Sequence, residues 1–205
     1  PNGYDPSLER LYRPPKRKEK LNIIYVGSFY HGRSPLLVLK PALQLPSDMA
    51  KDFHFHFIGP LTEQEAAAIN SLGGAYTVTL HGPRSHEYCL EAIVNTDCCL
   101  LLAIGQPSQI PAKVYEYIGL GRPGLSISER DDATMELLRQ RPWAWALARQ
   151  DEAGILSALK EMHHLWRQDS LPRLERDGER KEFSFATLAG KYADLIREVV
   201  ATQRG

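Results

Sequence analysis

Leu21-Asn22-Ile23-Ile24-Tyr25-Val26-Gly27-Ser28-Phe29-Tyr30-His31-Gly32-Arg33-Ser34-Pro35 decides the fold. Six residues rich in β-branched and aromatic side chains stop at a glycine, which predicts a buried strand. The leucines at 36, 37, 39 and 43 then predict a helix over 34–45. Pro35 suits its first turn, and Pro41 shortens or kinks it. The same strand–turn–helix unit recurs outward from there. Phe53–Ile58 alternates Phe and His and ends at Gly59-Pro60. Thr62 with Glu65 reads as a capping box opening a helix to Leu72. A third strand over 76–80 precedes Ser85, which caps a helix to about Asn95. The stretch 97–104 is almost wholly apolar, as a central strand covered on both faces must be. Pro111 opens a helix ending near Gly121, Gly124–Ser128 is a fifth strand, 131–140 a helix and 143–148 a sixth strand. Two long helical stretches follow, over 151–167 and 183–201.

Strands alternating with helices at this spacing predict an α/β fold: a Rossmann-like, doubly wound parallel sheet of about six strands with helices on both faces. Ligands of such sheets bind beyond the carboxyl ends of the strands, where the strand order reverses. Residues 27–33, 59–60, 81–84 and 104–111 are therefore the places to look. Residues 1–20 carry four prolines and six basic residues from Arg10 to Lys20, and read as a linker rather than a folded element. The alternative is a basic arm that touches phosphates or a partner.

Composition narrows the function classes. Twenty-five Lys+Arg balance twenty-five Asp+Glu among 205 residues, so no global field draws the chain to nucleic acid or anionic lipid. The longest apolar runs are far too short for a transmembrane segment. No charged-then-apolar leader is present, and the expected location is cytoplasmic. Cys89, Cys98 and Cys99 lack CxxC spacing and read as small buried residues of a reduced protein. The sequence starts at Pro1 without a methionine, which suggests a piece of a longer protein.

Two segments could carry chemistry. The turn 27–33 has two glycines for close backbone approach. The N–H groups of the helix after it favour an anion, and Arg33 adds a bidentate charge. It is neither a Walker A loop nor GxGxxG, and any βα turn uses glycine. The second is Ile110-Pro111-Ala112-Lys113-Val114-Tyr115-Glu116-Tyr117, where a helix start follows the most buried strand. Lys113 and Glu116 share a helix face, and a carboxylate there can accept hydrogen bonds from ribose hydroxyls. An ordinary surface ion pair has the same spacing. His54 and His56 point to one side of their strand without further ligands at metal spacing. Trp143 and Trp145 are expected on one face of the sixth strand, as core or interface.

The order of these segments resembles the C-terminal, donor-binding domain of GT-B glycosyltransferases, family-four-like (glycosyl transferases group 1). Pro1-Asn2-Gly3-Tyr4-Asp5, the 25–37 opening, Leu80-His81-Gly82-Pro83-Arg84-Ser85-His86 and the 111–123 helix each match a motif of that family, in order along most of the chain. The resemblance implies a hexosyltransferase-like enzyme of polysaccharide or other glycan assembly. Its donor would be an NDP-sugar linked to UDP, GDP or ADP, and its acceptor a glycan, lipid or small-molecule hydroxyl. No DxD-like carboxylate pair stands near a strand end, so no divalent metal is expected, and no cofactor. Residues 1–20 would be an interdomain hinge and 21–205 the nucleotide-sugar-binding domain. The N-terminal acceptor domain of the same chain would be missing. That absence would leave this fragment inactive, and any peripheral membrane contact would lie in the missing half. Glu116 matches the second glutamate of the E-x7-E motif, which holds the ribose. Gly27, Ser28 and Arg33 match the diphosphate loop, Ile110, Ala112 and Lys113 a second phosphate-binding helix start, and Gly82 a turn near the base. Ser108 stands where the motif has its first glutamate, which puts the sugar contact in doubt. A non-catalytic scaffolding module of the same fold is the alternative.

Overall fold

The computed structural model describes residues 2–14, 16, 18–105, 107–174 and 178–202. Six strands, β1 (Leu21–Val26), β2 (Phe53–Ile58), β3 (Thr77–Gly82), β4 (Cys98–Ala103), β5 (Gly124–Ser128) and β6 (Ala144–Ala148), form one sheet in the order β3-β2-β1-β4-β5-β6. Every pairing is parallel. The strand order reverses between β1 and β4, so the predicted doubly wound sheet is present and its switch point is there.

Alternation along the strands builds two cores. Cys98, Leu100 and Leu102 enter one, with α1 (Leu36–Ala42), α3 (Glu63–Asn70) and α7 (Glu152–Arg167). Cys99, Leu101 and Ala103 enter the other, with α4 (His86–Val94), α5 (Ala112–Gly119) and α6 (Ala133–Leu138). All three cysteines are buried thiols. The capping box is formed: Thr62 Oγ1 accepts from the Glu65 N–H at 3.2 Å while Glu65 accepts from the Thr62 N–H at 2.9 Å. Ser85 caps α4 with its side chain alone, accepting from the Tyr88 N–H. Pro41 sits in the last turn of α1, which stops at Ala42, and a separate short helix, α2 (Ser47–Ala50), follows Pro46.

Three expectations need correction. The segment before β1 is folded along part of its length. Asp5 caps a 3-10 turn, Pro6–Arg10, whose proline occupies a first position where no N–H is needed. Tyr4 is 2 % exposed and exchanges backbone hydrogen bonds with Phe183 and Phe185. Arg122, 1 % exposed, donates to the carbonyls of Ile93, Val94 and Arg13, pinning the segment to the end of α4. Pro1, Pro15 and Arg17 lie outside the described residues. The third strand runs to Gly82 rather than Leu80, because pairing with β2 resumes at Ile58–Gly82 after a bulge. Trp143 packs in the α5 core and Trp145 in the α7 core, so they lie on opposite faces. Trp143 precedes β6 and does not follow its alternation.

The last helix, α8 (Phe185–Thr202), buries Leu188 alone among its described residues. Tyr192, Leu195, Ile196 and Val199 leave an apolar stripe in solvent.

Candidate functional site at the sheet switch point

The turn after β1 and the loop after β4 meet across the switch point. The register Ile24–Cys99 places Val26 beside Leu101, so β4 continues two residues further, to Ala103. Arg33 turns back over that end, and its Nε donates to the Ile104 carbonyl at 3.3 Å. Its guanidinium lies over the Tyr30 ring, 4.8 Å from the centroid. Tyr25 donates its hydroxyl to the Ser28 carbonyl at 3.0 Å, closing the turn from within. Burial pushes the Tyr25 hydroxyl up to about 12, so it stays a donor.

The neighbouring strand ends are packed backbone to backbone. Gly27 donates to Ile58, and Gly59 donates to Gly82 at 3.1 Å. A Cβ at Gly59 would overlap the Gly27 carbonyl, so only glycine allows the two turns to touch. Gly82 has φ +66, the left-handed conformation that lets β3 break sharply into α4.

The two helix starts differ. At α1 the N–H groups of Arg33, Leu36, Leu37 and Val38 are already engaged by Tyr30, Ser34 and Pro35, contrary to the expectation of free donors there. A serine–proline turn satisfies them locally. At α5 the N-cap is Pro111, which supplies no side-chain cap. That uncapped start is the better anion seat. Lys113 Nζ lies 2.6 Å from the Glu116 carboxylate on its first turn, and both are half-buried beside Cys89 of α4.

Ser108 and Ile110 line a cavity of about 650 Å³ with Tyr115 of α5, Leu137 of α6, Arg141, Phe183 and Lys191. Arg141 is paired there with Glu182 at 2.7 Å and stacked on Phe183. Thus Gly27, Ser28 and Arg33 join the end of β4, Lys113 joins Glu116, and Gly82 joins Gly59. Ser108 borders the cavity, whose lining includes none of these residues.

These features invite comparison with known proteins. No family profile and no curated protein sequence matches the chain. Solved structures do. WaaG, a glycosyltransferase involved in lipopolysaccharide biosynthesis, superposes with TM-score 0.62 at 15 % identity, over 83 % of this chain and 50 % of that one. AviGT4, a glycosyltransferase involved in avilamycin A biosynthesis, superposes with TM-score 0.62 at 17 % identity, over 97 % of this chain and 57 % of that one. The fold is that of a GT-B glycosyltransferase. The chain spans about half the length of these two GT-B structures.

Within this GT-B-like unit, sequence reasoning chose Arg33 and Glu116 but missed Tyr30 and the Ile104 carbonyl, which orient Arg33. It also missed that His81 joins the His54–His56 row. His56 Nδ1 lies 3.2 Å from His81 Nε2, and His54 Nε2 lies 2.8 Å from Thr79. Alternation through Thr77 and Thr79 carries His81 to that side, and reading the third strand as ending at Leu80 left it out. No group of three or more His, Cys, Asp or Glu among the described residues is arranged to hold a metal ion. No described helix is long and apolar enough to cross a membrane.

Proposed function

We propose that this chain is the NDP-sugar-binding half of a glycosyltransferase that moves a glycosyl group to a glycan, lipid or small-molecule hydroxyl. The observation that carries the reading is the meeting, at the switch point of a GT-B-type sheet, of Arg33 with the end of β4, beside the uncapped start of α5. Residues 27, 28 and 33 and the backbone at 110 and 112 would face the diphosphate. Glu116 would accept from the ribose hydroxyls, with Lys113 holding its carboxylate, and Gly82 would border the base.

The chemistry asked of these residues is electrostatic. Negative charge grows on the departing diphosphate as the glycosyl bond breaks. A fixed guanidinium and unpaired helix N–H groups stabilise that charge without reorganising. Residues 1–20 act as the hinge in this reading, and an acceptor-binding half of the same protein supplies the remaining groups. Buried, unpaired thiols suit a reducing, cytoplasmic setting.

Ser108 favours a second reading, a non-catalytic module of the same fold, because it offers no carboxylate and lies on the separate cavity. Calorimetric titration with UDP, GDP, ADP and NAD, beside a Glu116→Ala variant, separates these. One nucleoside diphosphate should bind and weaken by about 1–3 kcal/mol in the variant, the usual loss for a hydrogen bond to a charged group. No binding at millimolar concentration favours the scaffolding reading. Binding indifferent to Glu116→Ala places the site elsewhere.

A further inference from the structure

A row of polar side chains crosses the α4-facing side of the sheet and ends beside the Gly82 turn. The protons in it can be placed one by one. Asn22 Nδ2 lies 2.7 Å from the Lys20 carbonyl and 3.2 Å from Asp97 Oδ2, both acceptors, so the amide orientation is set. Asn22 Oδ1 therefore faces His56 Nε2, at 3.0 Å, and that nitrogen must carry hydrogen. Neutral His56 then has a bare Nδ1. His81 Nε2, 3.2 Å away, donates to it, and His81 Nδ1 accepts from the Tyr88 hydroxyl at 3.2 Å. The direction of every bond follows from one amide.

A first proton can enter without breaking this row. It goes to His81 Nδ1, and the Tyr88 hydroxyl turns round to accept. A second proton has nowhere to go except His56 Nδ1, which would point one N–H at another across 3.2 Å. The surroundings oppose it: the His54 ring is 3.9 Å from that of His56, Lys18 and Lys20 approach from the segment before β1, and Arg84 lies near His81. The acids on this side are Asp97, near Lys18 and Arg122 at the start of β4, and Glu91 of α4, which accepts from the Asn95 amide beside the row. Burial first, then His54, His81 and Lys18, lower His56 to about 4. A cavity of about 180 Å³ bordered by Lys18, Asn22, His56 and His81 gives protons a way in.

His81 is the bulge residue, and pairing resumes at the next residue, Gly82. The ladder does not hold His81, so its ring contacts with His56 and Tyr88 are what steady the backbone leading into that glycine. We propose that the Asn22–His56–His81–Tyr88 row is an acid-sensitive latch that positions the Gly82 turn: it holds one added proton and opens on the second. The bearing of the latch on ligand affinity rests on the nucleotide reading above, in which Gly82 borders the base.

Long-range ¹H–¹⁵N spectra of the unliganded protein test it. Neutral His56 and His81 should both carry hydrogen on Nε2, and the Gly82 amide should move on acidification together with His56. In His56→Gln, which cannot hold the charge, that movement should vanish. Affinity for the nucleoside diphosphate that binds should fall about tenfold more on acidification in the wild type than in His56→Gln, the consequence of linking one proton over about one pH unit. If neutral His56 carries hydrogen on Nδ1, or if Gly82 stays still while His56 titrates in the wild type, the latch is overturned. If Gly82 follows His56 but no nucleotide binds at any pH, the latch stands and the donor reading fails.

Discussion

The Lys113 ammonium lies 2.6 Å from the Glu116 carboxylate, three residues along the same helix. The pair is half-buried, so it contributes less than about 1 kcal/mol to stability. Its value in the proposed function is to hold the carboxylate in one place. Lys113→Ala should therefore leave urea unfolding nearly unchanged and still weaken binding of a nucleoside diphosphate, as read by calorimetry. A large loss of stability with unchanged binding would make the pair structural.

Gly59→Ala should act at a distance from its own strand. The added Cβ would run into the Gly27 carbonyl, and the backbone at φ +153 resists a side chain. The expected cost exceeds about 1 kcal/mol. Chemical denaturation measures it, and amide shifts at Gly27 and Ser28 report whether the first turn has moved.

Arg122→Met tests the clamp on the segment before β1. The substitution removes donors to the carbonyls of Ile93, Val94 and Arg13. Leaving buried acceptors unpaired should cost at least about 2 kcal/mol of unfolding free energy in urea titration. Trypsin should also cut after Arg10, which Leu11 follows, sooner than in the wild type under native conditions.

Acid should destabilise the fold before carboxylates alone would. His54, His56 and His81 are all lowered in the folded protein, chiefly by burial. Between the unfolded histidine value of about 6.5 and the folded values, the unfolded chain binds more protons, so stability is present above that window and lost as pH falls through it. The melting temperature should drop from pH 7 towards about 4, with a shallower drop in His56→Gln. Asp97, raised by burial, acts in the opposite sense as pH falls through its folded value, above the ordinary carboxylate value.

Thiol reagents should find nothing in the native protein. Cys89, Cys98 and Cys99 are buried, and burial raises all three thiols, so thiolate is scarce. Ellman's reagent should label three groups in denaturant and none within minutes without it.

Much of the fold could be read from local pattern. β1, β2 and β5 begin and end where the runs of β-forming residues do, and the caps at Thr62 and Ser85 work as read. Each of these depends on residues within four of one another. The candidate site was legible in its pieces: Arg33 on the first turn, and Lys113 with Glu116 on one helix face. Its assembly was not. Arg33 meets Ile104 across 71 residues, and Arg122 meets Arg13 across 109.

The sequence by itself determined which segments become strands and helices, where they are capped, and that the sheet is parallel and doubly wound. Hydrophobic period and cap chemistry act over a few residues, and connections through helices leave parallel pairing as the outcome. Only the tertiary structure decided that Tyr4 and Leu8 dock on the core, that Trp143 and Trp145 part to opposite faces, that Ser108 borders a cavity with Arg141 and Phe183, and that His81 completes the row with His56. Those outcomes depend on burial and on partners in distant segments. Their energies exist only after the chain has brought the partners together.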